Sequence, residues 1–193
     1  MRIALDIMGG DHAPQEIVRG AVEASMRLKE IERLLLVGDE SIVRAELAKW
    51  PKAVHSRLEI VHAAESIGMD ESPVTAVRKK KLCSINICMD LLKTKQAQAM
   101  VSAGNSGAVT AAAVLNPGRV PGVLRPAIAT VMPTRQPKRP LLLLDAGANT
   151  DCDEKWLAQF AVMGSIYSHY VLKRTEPVVG LLSIGTEDCK GNE

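Results

Sequence analysis

The sequence predicts a three-layer α/β fold, in which helices cover both faces of a mostly parallel sheet. Short aliphatic runs, such as residues 34–37, alternate with longer stretches of helical periodicity, such as residues 17–28. Strands that are almost continuously apolar are typical of a parallel sheet buried on both faces. Hydrophobic residues make up 47% of the 193 positions, enough for a sizeable core.

Strands are expected at the short apolar runs, and helices at the amphipathic stretches between them. The expected strands cover residues 2–8, 34–37, 58–61, 97–101, 126–132, 141–144 and 178–183. The expected helices cover residues 14–29, 40–50, 73–95, 106–115 and 153–173, the third of them kinked or split. Because no repeat or linker interrupts this alternation, we expect one α/β domain over residues 1–193.

Composition argues against several classes of protein. Aromatic residues are only 3% and the net charge is +2, which disfavours a base-stacking platform or any nucleic-acid partner. None of the four cysteines forms a C-x-x-C pair, so we expect free thiols and no metal or cofactor. No apolar run reaches membrane-spanning length, and Asp6 comes too early for a signal peptide. We therefore expect a cytoplasmic protein, with peripheral membrane contact left open.

One turn, SAGNSG at residues 102–107, is the strongest local signal for a ligand site. It follows an apolar run and opens a helix with Asn105 or Ser106 as the candidate N-cap. Gly104 and Gly107 remove side-chain bulk where a ligand would approach the backbone. Free N–H groups at a helix start suit an anion such as phosphate. An ordinary βα turn has the same pattern, so this turn by itself does not establish a site.

Three further turns of similar composition follow predicted strands. The four turns together cover residues 6–11, 102–107, 145–149 and 185–192. In a parallel sheet the carboxyl ends of the strands lie at one edge, so these turns are expected to form one shared site.

The polar residues of these turns have both functional and structural interpretations. Asp6 and Asp11 are suited to binding a metal or a polar substrate, or to a strand-end hydrogen bond and a helix cap. Asp145 and Asn149 can orient a substrate or simply favour a turn. Lys190 can pair with phosphate or remain a solvated lysine.

A basic run, RKKK at residues 78–81, can attract an acidic partner, although such runs are more often a solvated helix face.

Several familiar motifs are missing from the sequence. It contains no G-x-G-x-x-G and no G-x-x-x-x-G-K-[ST], which argues against a standard dinucleotide or Walker-type site. Residues 104–107 are not a G-x-S-x-G elbow, because the second glycine comes one residue early.

Read together, these segments resemble the acyl-acyl carrier protein:phosphate acyltransferase family, PlsX. The resemblance rests on six collinear motifs: ALDIMGGDHAP at 4–14, DESP at 70–73 with RKK at 78–80, SAGNSGA at 102–108, GVLRPA at 122–127, DAGAN at 145–149, and GTE at 185–187 with KGN at 190–192. It implies a Rossmann-like sheet of the isocitrate dehydrogenase and phosphotransacetylase type. Because such proteins continue for another small domain's length, we expect this chain to be an N-terminal portion.

The resemblance implies transfer of a fatty acyl group from acyl carrier protein to inorganic phosphate, giving acyl phosphate for phospholipid synthesis. It also implies a homodimer. Residues expected to donate hydrogen bonds to phosphate or the oxyanion are Asn105, Ser106, Asn149 and Thr186. Phosphate or substrate binding is expected of Ser102, Gly104, Gly107, Arg125, Lys190 and Asn192. Residues expected to shape the loops are Asp6, Gly9, Gly10, Asp11, Asp145, Gly147 and Glu187. The expected docking face for the acidic carrier consists of Arg78, Lys79, Lys80 and Lys81.

Two alternatives remain open from the sequence. One is a phosphate acetyltransferase-like enzyme that uses acyl-CoA. The other is a non-catalytic fragment that binds phosphate without turnover.

Overall fold

The computed structural model of the chain describes residues 1–51, 56–149, 151–182 and 185. These residues belong to two units, Met1–Pro121 and Gly122–Glu193. The elements of the first unit are β1 (Arg2–Asp6), α1 (Gln15–Arg27), β2 (Arg33–Gly38), α2 (Glu40–Leu47), β3 (Leu58–His62), α3 (Pro73–Lys79), α4 (Ser84–Lys93), β4 (Ala99–Val101) and α5 (Ser106–Leu115).

The first unit contains a parallel sheet with the strand order β3-β2-β1-β4. Its register pairs Ile3 of β1 with Leu34 of β2 on one side and with Ala99 of β4 on the other. The chain moves outward from β1 to β2 and β3, and then crosses back to place β4 on the opposite side of β1. The carboxyl ends of the neighbouring strands β1 and β4 therefore lie side by side, at the edge where open α/β sheets bind ligands.

Helices cover both faces of this sheet, as the sequence predicts. Along β2, Leu34 and Leu36 pack into a cluster with residues of α1 and α2. Leu35 and Val37 point to the other face, where they pack with residues of α4. The three-layer α/β fold with a mostly parallel sheet is therefore confirmed.

The long helical stretch expected at 73–95 is two helices, α3 and α4. Buried Asn86 of α4 donates hydrogen bonds from Nδ2 to the carbonyl oxygens of Val77 and Lys80, at 2.9 Å each. The bond to Val77 supplies a donor to a carbonyl in the last turn of α3, and the bond to Lys80 adds to the one that this carbonyl accepts from the Cys83 amide at 3.3 Å. The side chain of Asn86 therefore stabilises the break between α3 and α4.

The second unit contains β5 (Thr130–Met132), β6 (Leu141–Leu143) and α6 (Glu154–Tyr170). The expected strand at 126–132 is shorter than predicted, and it pairs antiparallel with β6 in a separate two-stranded sheet. The connection over residues 133–140 explains this pairing, because parallel strands need a crossover of roughly a dozen residues or more. The expectation that these strands extend the parallel sheet is wrong.

The strand expected at 178–183 is also not observed. Residues 178–182 pair with no strand in the described part of the chain, so no sheet there buries their apolar side chains. Val178 is 98% exposed and Leu182 is 84% exposed. No helix among the described residues has both the length and the hydropathy to cross a bilayer.

Candidate functional site

The ends of β1 and β4 are joined by a partly buried hydrogen bond. The Ser102 hydroxyl donates to Oδ2 of Asp6 at 2.7 Å, and the Met8 amide donates to Oδ1 at 3.2 Å. Asp6 is completely buried. The same Ser102 oxygen accepts from the Gly104 amide at 3.1 Å. Asp6 therefore has the strand-end role that its position suggested, and it holds two of the four expected turns together.

Glycines allow these two turns to approach closely. A Cβ on Gly9 would lie 2.4 Å from Oδ2 of Asp6 and 2.9 Å from the backbone nitrogen of Gly104. Gly10 has a φ of +110°, and a Cβ there would lie 3.1 Å from the carbonyl oxygen of Ala103. At Gly9 both distances are shorter than a Cβ tolerates, so this position requires glycine. At Gly10 the positive φ together with the close carbonyl oxygen favours glycine.

Asn105 is the N-cap of α5. Its Oδ1 accepts from the Ala108 amide at 3.0 Å, which satisfies one of the free donors of the first turn. Its Nδ2 donates to the carbonyl oxygens of a neighbouring loop, those of Gly68 at 3.3 Å, Met69 at 3.1 Å and Glu71 at 3.2 Å. The side chain is only 7% exposed. Both of its polar atoms are therefore committed to the fold.

Ser106 is exposed at the first position of α5. No described residue forms a hydrogen bond with its hydroxyl. The amides of Ser106 and Gly107 belong to the first helical turn, whose N–H groups have no intrahelical acceptor. Gly107 also faces α3, because a Cβ there would lie 2.8 Å from Cγ of Pro73. The start of α5 thus presents a hydroxyl, backbone donors and the positive end of the helix dipole.

Asp11 lies in an exposed turn before α1. The expected alternative role as a helix cap is not observed, because the N-cap is Pro14 and no side chain caps that helix end. Among the described residues, no group of three or more His, Cys, Asp or Glu side chains is arranged to hold a metal ion.

The turn at 145–149 lies in the second unit and is held by its own polar side chains. Oδ1 of Asp145 accepts from the Ile128 amide at 2.7 Å, and Oδ2 accepts from the Asn149 amide at 2.7 Å and its Nδ2 at 2.9 Å. Asn149 Nδ2 also donates to the Pro126 carbonyl at 2.9 Å. Gly147 adopts a φ of +112°, which favours glycine. These contacts give the turn a structural role.

Hydrogen bonding also changes the acidity of Asp145. Burial raises the pKa of this carboxyl, but the Ile128 amide, the Asn149 side chain and the amides of Ala148 and Asn149 together outweigh burial. The pKa of Asp145 therefore lies below its ordinary value of 3.8, and the group is ionised at neutral pH.

The expectation that all four turns share the carboxyl edge of one parallel sheet is wrong for the turn at 145–149. That turn follows β6, which belongs to the two-stranded antiparallel sheet. Of the fourth turn, the structure describes Gly185 alone. The expected site residues Thr186, Glu187, Lys190 and Asn192 lie outside the described residues.

The two expected sources of positive charge within the described residues have different surroundings. The Arg125 guanidinium lies 4.6 Å from the ring centroid of Trp156, a cation–π contact on an exposed arginine. In the basic run, Arg78, Lys79 and Lys81 are exposed. Lys80 instead forms an ion pair with Glu71 at 2.7 Å.

The cysteines of α4 and its N-cap are buried. Burial raises the pKa of the Cys83 and Cys88 thiols, so both are neutral and unsuited to nucleophilic attack.

Sequence reasoning missed Glu71 as an individual residue. Its partner Lys80 comes nine positions later, beyond the opposite end of α3, and no periodic pattern in the sequence indicates this pair.

Comparison with known proteins places the chain in a family. A family model described as fatty acid synthesis protein matches residues 1–193, so the chain belongs to that family. It is 58% identical over 193 residues to the phosphate acyltransferase of Nostoc sp. (strain PCC 7120 / SAG 25.82 / UTEX 2576). It is 52% identical over 192 residues to the phosphate acyltransferase of Acaryochloris marina (strain MBIC 11017). Each match covers 100% of this chain and 55% of the relative, so the chain spans about half the length of these relatives.

Proposed function

We propose that this chain forms the phosphate-binding part of an enzyme that transfers a fatty acyl group from acyl carrier protein to inorganic phosphate. The observation that carries the proposal is the exposed start of α5, where Ser106 and the amides of the first turn follow the closely packed glycine turns after β1 and β4. A helix start with free N–H groups suits a phosphate oxyanion. The names of the relatives support acyl transfer involving phosphate.

The proposed reaction needs no nucleophile from the protein. An oxygen of phosphate attacks the thioester carbonyl, the carbon–sulfur bond breaks, and the carrier thiol leaves as acyl phosphate forms. The protein must hold phosphate near the carbonyl and stabilise the oxyanion that develops there. The buried, neutral cysteines are consistent with this mechanism.

The residues of the SAGNSG turn divide between binding and positioning in this proposal. Ser106 and the amides of the first turn of α5 contact phosphate. Gly104 instead lets the turn pack against Gly9, because a Cβ there would lie 3.1 Å from the Cα of Gly9. Asn105, expected from the sequence to donate to substrate, instead holds the helix start in place, because its amide already donates to loop carbonyls. Ser102 fixes the turn through Asp6.

The remaining roles rest on the resemblance of the sequence motifs. Oxyanion or phosphate contacts are proposed for Arg125, Thr186, Lys190 and Asn192. Asn149 instead holds its own turn, because its side-chain amide already donates to Asp145 and to the Pro126 carbonyl. Acyl carrier protein docks on the exposed basic side chains at the C-terminal end of α3. The protein is proposed to be a cytoplasmic homodimer of one α/β domain, with peripheral contact to the membrane.

The first experiment measures phosphate-dependent release of carrier thiol from palmitoyl-acyl carrier protein, with acyl phosphate trapped by hydroxylamine. It compares this chain with a fusion of the chain, at Glu193, to the remaining part of the Nostoc relative. Turnover in either protein supports the proposal. Absence of turnover in both, with ligand-induced stabilisation by phosphate, identifies a non-catalytic binding module. A preference for palmitoyl-CoA over the carrier thioester identifies the acetyltransferase-like alternative.

A further inference from the structure

We propose that Lys80 is a positioning residue for the phosphate site, acting through Glu71 and Asn105, and that it does not belong to the docking face formed by its basic neighbours. This inference rests on the proposed function. It separates one lysine from a run of four basic residues that the sequence presents as equivalent.

Lys80 differs from its neighbours in what its ammonium group contacts. Nζ lies 2.7 Å from Oε1 of Glu71, and it donates to the carbonyl oxygen of Ser66 at 2.8 Å. The side chain is 33% exposed, whereas Lys79 and Lys81 are exposed residues. The charge of Lys80 is therefore directed at the loop over residues 65–72.

Glu71 links Lys80 to the backbone of this loop. Its Oε1 accepts from the Gly68 amide at 2.7 Å as well as from Lys80. The hydrogen bond from Lys80 and that from Gly68 lower the pKa of Glu71, so the carboxylate stays ionised at neutral pH. At the other end of the loop, Glu65 pairs with Cys83 in an isolated parallel bridge. The loop is therefore fixed at both ends.

The fixed loop holds the start of α5. The carbonyl oxygens of Gly68, Met69 and Glu71 converge on Nδ2 of Asn105, which shares its hydrogens among three acceptors. This arrangement orients the amide so that Oδ1 caps the Ala108 amide. Displacement of the loop would turn the Asn105 amide and release the cap. The Lys80–Glu71 pair is thus connected to the turn that presents Ser106.

The test uses the full-length fusion described above and a pair of matched variants. Lys80→Met and Lys81→Met remove the same charge and keep similar side-chain length at adjacent positions. Lys80→Arg is the conservative variant, since guanidinium can still donate to Glu71 and to Ser66. Two quantities are measured: the hydrogen exchange rate of the Ala108 amide, and the KM values for phosphate and for the carrier thioester.

We expect Lys80→Met to speed exchange at Ala108 and to raise the KM for phosphate, each by about tenfold, with the KM for the carrier unchanged. Lys81→Met, at a residue of the docking face, should raise the KM for the carrier thioester and leave Ala108 exchange and the phosphate KM unchanged. Lys80→Arg should keep the exchange rate and the phosphate KM of the unsubstituted protein. Equal exchange in Lys80→Met and Lys81→Met would overturn the inference. Faster exchange with an unchanged phosphate KM would also overturn it.

Hydrogen exchange at the Ala108 amide tests the role of Lys80 independently of the proposed function. If the unsubstituted fusion shows no phosphate-dependent turnover, the proposed function fails. The exchange rates at Ala108 then still decide whether Lys80 holds the start of α5: faster exchange in Lys80→Met alone supports that contact chain, and equal rates refute it.

Discussion

The hydroxyl of Ser102 donates a 2.7 Å hydrogen bond to the buried carboxylate of Asp6, a residue 96 positions earlier in the chain. This contact joins the ends of the neighbouring strands β1 and β4. Because Asp6 also accepts from the Met8 amide, its carboxylate organises the turn on which Gly9 and Gly10 lie.

Removing this hydrogen bond should destabilise the protein. Ser102→Ala leaves a buried carboxylate oxygen without its donor, so we expect a loss of about 1.5–3 kcal/mol in the free energy of unfolding. Asp6→Asn and the double variant complete a cycle, which should show a coupling of about 1–3 kcal/mol in urea unfolding. Additive effects would contradict a direct interaction. Ser106→Ala, at an exposed serine, is the control and should be nearly neutral.

Gly9 should not tolerate a methyl group. Gly9→Ala would place Cβ 2.4 Å from Asp6 and against the Gly104 backbone, so we expect lower thermal stability and loss of phosphate-dependent turnover. The control is Gly20→Ala in α1, where nothing lies within 4 Å of the added Cβ. Since alanine is the better helix former, that variant should gain up to about 1 kcal/mol. Wild-type stability in Gly9→Ala would argue against the close approach.

Asn105 and Ser106 are adjacent, yet their substitutions should affect different quantities. Asn105→Ala removes the cap and the donor for three loop carbonyls, so we expect a loss of about 2–4 kcal/mol in stability. Ser106→Ala should leave stability within about 0.5 kcal/mol and raise the KM for phosphate. Calorimetry combined with steady-state kinetics separates the two effects. A phosphate KM unchanged in Ser106→Ala would remove its hydroxyl from the site.

The lowered pKa of Asp145 predicts a dependence of stability on pH. A carboxyl whose pKa is lower in the folded state stabilises the fold above its unfolded pKa, and this contribution is lost as pH falls through the folded pKa. Asp145→Asn should therefore reduce the slope of unfolding free energy against pH below about 4. Urea titrations between pH 3 and 7 measure this slope. Asp151→Asn, at an exposed aspartate of the same unit, is the comparison.

The exposed basic residues at the C-terminal end of α3 predict how the carrier protein binds. Reversing charge with Lys79→Glu and Lys81→Glu should raise the KM for acyl carrier protein and leave the KM for phosphate unchanged, since attraction between charged surfaces favours association. The effect should weaken as salt is added. Lys29→Glu with Lys138→Glu makes the same change in net charge at exposed positions elsewhere. Equal KM values for the carrier in both double variants would exclude a docking role.

Much of the first unit could be predicted because its signals are local. Strands β1, β2 and β3 are short, largely aliphatic runs, and the N-caps Asp39 and Asn105 each precede a helical pattern by one residue. A cap satisfies helix-end amides within its own segment, and an apolar run indicates a strand before its partners are known. The SAGNSG turn was likewise recognisable from residue types alone.

Tertiary structure decided which partners the polar groups find. Nothing in the sequence indicates that Asn105 donates to carbonyls 34 to 37 positions earlier, or that Lys80 faces Glu71 while its basic neighbours face solvent. The antiparallel pairing of β5 with β6 was equally unpredictable, because an aliphatic run encodes burial but not the strand beside it. Sequence alone therefore determined the class of fold and the family motifs, while the structure decided that Asn105 rather than Ser106 is the N-cap of α5. Packing determined whether each polar side chain holds the fold together or remains free to bind a ligand, because that depends on which backbone donors and acceptors lie within hydrogen-bond distance.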